Sequence, residues 1–236
     1  MQFKVLYEDD NILAIDKPAG IVVFPEGNIQ GKTMIDHILE KYPDLKNAGV
    51  PLRYGVVHRL DRDTSGILLV AKNSKTLEFL QKQFKDRKVV KKYLALVVGN
   101  IKNKEGKVET LIGRHPKDRN KQKVFLPHQP GSQGKRIAVT SYRVIEEFPG
   151  YTLLEVTPKT GRKHQIRTQL SYLNHPIVGD KLYGFKNQPK PKNLSRHFLH
   201  ASYLMINLLD NKSKEFYSEL PEDLKKTLEN IKMTNV

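Results

Sequence analysis

The chain has no cysteine among its 236 residues, so neither a disulfide nor a thiolate metal site can form within it. Its eight histidines include no HExxH pair, which removes the zincin pattern and makes a metal enzyme a poor expectation. No apolar run approaches the roughly 20 residues a membrane span needs. The first ten residues, MQFKVLYEDD, lack the apolar core of a signal peptide, so the cytoplasm is the expected compartment. Acidic residues are the other shortage: 25 Asp and Glu stand against 41 Lys and Arg, a net charge of +16. Such an excess attracts polyanions and suits repeated phosphate contact, with a solvated basic surface as the alternative.

What is present reads as a folded chain of α+β class. Hydrophobic residues at 38% and charged residues at 28% exclude a disordered chain, and the length accommodates one large or two small domains. Strand-like segments occur at FKVLYED, NILAIDKP, YGVVHRL, SGILLVAKN, YLALVVG, KVETLIG, KRIAVTSYRVIEE and YTLLEVTP, punctuated by Gly, Pro, Asp and Asn. One helix is expected from Ser74, as N-cap, to about Arg87, with Leu77, Leu80 and Phe84 on one face. A second begins near Gly161, its stripe being Ile166, Leu170 and Leu173 with Arg167 at the flank. PEDLKKTLENIK, acids first and lysines later, forms a third. Strands following one another without regular helices between them predict a mixed, largely antiparallel central sheet with flanking helices. No repeat is visible and KNQPKPKNLSR is the most linker-like stretch, so a single domain over residues 1–236 is the simplest organisation. Residues 113–136, which hold Arg114, Lys117 and Arg119, read as a basic hairpin or loop.

The densest polar cluster is Gly55 to Gly66, where His58, Arg59, Asp61, Arg62 and Asp63 fall between two apolar segments. A loop clamped by rigid strands is a favoured mount for catalysis, although a charged surface turn has the same composition. Gly27-Asn-Ile-Gln-Gly-Lys-Thr33 looks like a phosphate loop but has three residues between its glycines instead of four, and FPEG before it reads as a turn rather than a buried strand.

HRLDRDTSGILLVAKN resembles the signature of RluA-type pseudouridine synthases almost residue for residue. The resemblance continues through LYEDDNILAIDKPAGIVVFP, KKYLALVVG, TPKTGRKHQIRTQL, HPIVGD and FLHASYLMI. Phe24, where His is common before Pro, and Lys163 depart from the usual pattern. The resemblance implies the pseudouridine synthase fold and a cofactor-independent isomerase of uridine in ribosomal or transfer RNA. It makes Asp61 the nucleophile, Tyr93 the aromatic beside the flipped base and Arg167 the cation paired with the catalytic carboxylate. Extruding a base leaves a gap in the helix. Arg59 is then either the prop that fills it or a structural partner of Asp63. His58 either orients its loop through backbone hydrogen bonds or, the favoured reading, is simply a satisfied buried histidine. Gly161, Arg162 and Lys163, before a helix N-terminus, suit phosphate. The resemblance further implies a monomer without an obligate protein partner, and no S4-type RNA-binding module is expected ahead of Phe3. Two rivals remain at this point: an RNA-binding module without chemistry, and a hydrolase using Asp61 and Asp63 as paired carboxylates.

Overall fold

A computed structural model describes residues 2–25 and 31–233, so the Gly27 to Gln30 part of the false phosphate loop lies outside the described residues. Among these residues the strands run β1 (Lys4–Glu8), β2 (Ile12–Lys17), β3 (Ser65–Ala71), β4 (Val90–Val98), β5 (Glu105–Arg114), β6 (Gln122–Phe125), β7 (Arg136–Phe148), β8 (Tyr151–Pro158), β9 (Leu199–Asn207) and β10 (Ser213–Tyr217). The α-helices are α1 (Met34–Lys41), α2 (Ser74–Lys85), α3 (Gln165–Tyr172) and α4 (Glu222–Met233). The class is α+β and the ladders are largely antiparallel, as expected. No described helix is long and apolar enough to cross a membrane.

The chain divides into two compact units, Met1–Val90 with Ala201–Glu219, and Lys91–His200 with Leu220–Val236. In the first, strands lie in the order β1-β2-β3-β9-β10, with β1–β2, β2–β3 and β9–β10 antiparallel. Every residue of β3 is buried, so both its faces carry apolar side chains. Ile67, Leu69 and Ala71 pack with Ile12, Ala14, Leu204, Ile206 and Phe216 against Leu77 and Leu80 of α2. In the second unit β4-β8-β7-β5-β6 form an antiparallel run. Its core joins Ala95, Val97, Leu154 and Val156 to Ile166 and Leu170 of α3 and to Leu224 and Ile231 of α4.

Several local expectations are corrected. YGVVHRL is not a strand: Val56 makes one isolated bridge to Val70, and the chain then turns away as a loop. The cap of α2 is Asn73, one residue before Ser74, because its longer carbonyl arm accepts the amide of Thr76 at 2.9 Å. The second helix starts at Gln165, four residues after Gly161, with His164 in the left-handed region at φ 54° as its cap. The pattern missed α1, although Thr33 and Asp36 form its capping box, the Thr33 amide and hydroxyl reaching the Asp36 carboxylate at 2.8 and 2.7 Å. The Thr33 that completes the false phosphate loop is therefore a helix cap, and Lys32 beside it pairs with Glu40.

Candidate active site

The loop carrying Asp61 is fixed mainly by the backbone. Gly55 lies so close to β3 that a Cβ there would meet the Ala71 carbonyl oxygen at 2.1 Å. Gly66 is equally hemmed in, its Cβ falling 2.3 Å from the Ala201 carbonyl oxygen, so both motif glycines mark close main-chain approaches. Between them the Thr64 amide donates to the Asp61 carbonyl at 3.1 Å, closing a tight turn over Arg62 and Asp63. The Arg62 carbonyl accepts from the Gly20 amide at 2.9 Å, while Arg62 Nε donates back to the Gly20 carbonyl at 3.0 Å. Lys17, fully buried, donates through Nζ to the carbonyls of Pro18, Ile21 and Arg62 at 2.7, 2.9 and 3.1 Å. Sequence reading missed Lys17. A lysine ending an apolar strand and followed by Pro-Ala-Gly was the available signal.

His58 orients this loop. Its Nε2 accepts the Leu69 amide of β3 at 3.0 Å, which places the proton of the neutral ring on Nδ1, and the ring stacks on Phe84 at 5.0 Å. Asp61 itself is half-buried. Desolvation lowers the pKa of the Arg59 guanidinium and the charge of Asp61 opposes that shift, so the two charges sense each other. Arg59 and Arg62 are exposed.

In the second unit α3 is buried on nearly every side, including polar residues that the apolar stripe did not anticipate. Gln165 donates to the Val139 carbonyl at 3.1 Å and to Thr140 Oγ1 at 2.9 Å, while its Oε1 accepts from Thr160 and from the Arg162 amide at 2.8 and 2.9 Å. Gln169 accepts from Thr140 at 2.6 Å and donates to Thr110 and the Ala138 carbonyl at 2.9 and 3.1 Å. Glutamines four apart thus face the sheet. One further step of the helix turns Arg167 to Asp180, with Nε to Oδ2 at 2.7 Å and Nη2 to Oδ1 at 2.9 Å. Burial would raise the Asp180 pKa, but the hydrogen bonds and charge of Arg167, with the His197 charge adding, hold it below the usual carboxylate value. The Asp180 carboxylate also accepts the Leu182 and Tyr183 amides at 2.9 and 3.0 Å. The Tyr183 ring lies against the guanidinium at 5.1 Å. Its hydroxyl accepts the Gln122 amide of β6 at 2.7 Å and meets His164 Nδ1 at 2.8 Å, tying helix, arginine and basic hairpin together. Asp180 and Tyr183 were not named as site residues; HPIVGD marked the segment without showing what it holds.

Tyr93 sits on β4 opposite Val156, half-buried against the core. Arg114, Lys117, Arg119 and Lys163 are exposed, and Arg162 donates through Nε to the Ile137 carbonyl at 3.0 Å. Residues 113–136 fold as the end of β5, a turn, β6 and a turn-rich loop into β7. Among the predicted residues, then, His58, Arg59, Asp61 and Arg62 share the first unit's loop, while Tyr93, Arg167 and the remaining basic residues belong to the second unit. Among the described residues no group of three or more His, Asp or Glu is arranged to hold a metal ion.

The profile of a family described as RNA pseudouridylate synthase matches residues 11–172. The ribosomal large subunit pseudouridine synthase D of Borreliella burgdorferi is 40% identical over 220 residues, covering 92% of this chain and 65% of that protein. An uncharacterized RNA pseudouridine synthase of Bacillus subtilis is 37% identical over 234 residues, covering 98% of this chain and 74% of its own length. Among solved structures, human RNA Pseudouridylate Synthase Domain Containing 4 superposes with a TM-score of 0.78 at 26% identity, over 97% of this chain and 93% of the human one. The chain spans less than two thirds of several curated relatives, 65%, 65% and 58% of their lengths.

Proposed function

The chain belongs to the RNA pseudouridylate synthase family, and from that membership we propose that it converts uridine to pseudouridine in structured RNA. The observation that carries the reading is the match over residues 11–172, which contains the whole HRLDRDTSG loop with Asp61 at its turn. In the reaction the bond from the sugar C1′ to N1 breaks and a bond from C1′ to C5 forms. The C5 proton leaves and N1 gains one, so the balance calls for no redox partner. Asp61 is the nucleophile. A carboxylate can form and release a covalent adduct and can stabilise positive charge developing on the sugar. Tyr93 acts at the base, and Arg167 is the cation that keeps the reacting carboxylate ionised. A loop held by its main chain supports this use, because attack needs a side chain delivered from a mount that does not reorganise. Arg59, exposed beside Asp61, takes the gap left by the extruded base. His58, Arg62, Arg114, Lys117, Arg119, Arg162 and Lys163 supply contacts to the polyanion that the net charge of +16 favours. Three relatives at 40% identity are named ribosomal large subunit pseudouridine synthase D, and on that ground the large-subunit ribosomal RNA is the proposed substrate.

The test compares wild type with Asp61→Asn, a near-isosteric change, in cells lacking their own counterpart, mapping pseudouridine across total RNA at single-nucleotide resolution. Sites in large-subunit RNA that need Asp61 are expected. Sites confined to transfer RNA refute the substrate and leave the enzyme standing. If neither protein adds pseudouridine while both bind RNA equally, the catalytic reading fails.

A further inference from the structure

Phe24 is 8% exposed, yet two guanidinium groups lie over its ring, that of Arg53 at 4.7 Å and that of Arg59 at 5.6 Å from the centroid. Both arginines are exposed. Two cations sharing one ring repel each other, and the negative face of the ring offsets only part of that cost. Asp61 acts on Arg59, whereas Arg53 has no carboxylate partner among the described residues. A guanidinium lying over a ring keeps its in-plane N–H donors directed outward, in the fork that matches a phosphate.

The turn before Arg53 adds a second, independent observation. Leu52 holds φ at 70°, a left-handed conformation that a leucine adopts only at a cost. Leu52 is 59% exposed and Val50 64%, which puts two large apolar residues in water beside the stacked arginines. Backbone strain of this kind concentrates where a ligand is met, and exposed apolar groups beside guanidinium groups suit a ribose or base face next to a phosphate. Phe24 is also a position where the sequence departs from the usual histidine. A protonatable ring there would set its own positive charge against the two guanidinium groups; a phenyl ring carries none.

We propose that Phe24 and Arg53 form an RNA contact beside the Asp61 loop, in which Arg53 grips the sugar-phosphate backbone from the platform it shares with Arg59 and Leu52 presses on the adjoining ribose or base. The inference rests on the RNA reading above and deepens it. A fluorescein-labelled RNA stem-loop with uridine in its loop, followed by anisotropy over a series of KCl concentrations, tests it without turnover. Arg53→Ala is expected to weaken binding about tenfold at low salt and to reduce the slope of log Kd against log salt by about one. Arg53→Lys restores the slope while binding remains weaker than wild type, since charge returns without the stacked fork. Leu52→Ser weakens binding with the slope unchanged. Wild-type affinity and slope in Arg53→Ala overturn the proposal, whatever Phe24→Leu does. If Phe24→Leu folds, adding Arg53→Ala to it is expected to weaken binding less than Arg53→Ala does in wild type, the remaining loss being the unstacked charge, and full additivity overturns the shared platform. Stem-loop binding that depends on Arg53 in a protein forming no pseudouridine refutes the proposed enzyme and leaves the contact standing; pseudouridine formation with binding indifferent to Arg53 does the reverse.

Discussion

Asp61 and Arg167 are mounted by opposite means. The Asp61 loop hangs mostly from main-chain groups: two glycines pressed against neighbouring backbone, the Gly20 peptide group bonded to the Arg62 carbonyl and to Arg62 Nε, and three carbonyls that accept from a buried lysine. Arg167 is held by side chains, the Asp180 fork, the Tyr183 ring and the flanking glutamines of α3. A mount built from the backbone leaves its side chains available for chemistry and tolerates the loss of one anchor. A mount built from buried charge fails when one partner is removed, because the remaining charge stays in a medium that solvates it poorly.

The largest effect is therefore expected at Asp180. Asp180→Ala removes the carboxylate fork from the buried Arg167 and lowers stability by about 3–5 kcal/mol, read from urea unfolding, while the double change to Arg167→Met with Asp180→Leu recovers much of the loss. The acid range sharpens this. The folded carboxyl titrates below the unfolded value of about 3.9, so its stabilisation is complete above that value and is lost as pH falls through the depressed one. Wild type should lose more stability than Asp180→Ala as the pH is taken below about 4. Lys17→Met comes next, at about 2–3 kcal/mol, because three carbonyls lose a donor while the Gly20–Arg62 pair remains. A loss as large as that of Asp180→Ala would break the comparison, since the loop would then depend on one side chain. The smallest is Tyr183→Phe, about 1 kcal/mol, which keeps the ring under Arg167 and removes the acceptor of the Gln122 amide. Hydrogen exchange at Gln122 should quicken, and an unchanged rate would cut the link between α3 and the basic hairpin.

Much of the frame was legible because long segments with a clear period declare themselves. SGILLVAKN, YTLLEVTP and the α2 and α4 helices appear close to where periodicity put them. Short or polar elements do not declare themselves: β6 has four residues inside a basic stretch, and β10 has five with one buried side chain. YGVVHRL carries the composition of a strand but lacks a partner beyond Val56, and a strand exists only where another offers its hydrogen bonds. For the site, HRLDRDTSG was conspicuous as a motif, and so was HQIR. Nothing in either segment named Asp180 and Tyr183, residues 13 and 16 positions beyond Arg167.

By itself the sequence determined the strand-rich class, the basic charge, the family signature and the one loop in which a carboxylate is flanked by arginines, because these depend on local composition and spacing. Tertiary structure alone decided which polar groups are buried together. Lys17 meets the carbonyl of Arg62 across 45 positions, and Gln169 meets Thr110 across 59. Such partners are chosen by the packing of distant strands, whose desolvation demands that every donor find an acceptor, and no linear spacing encodes that choice.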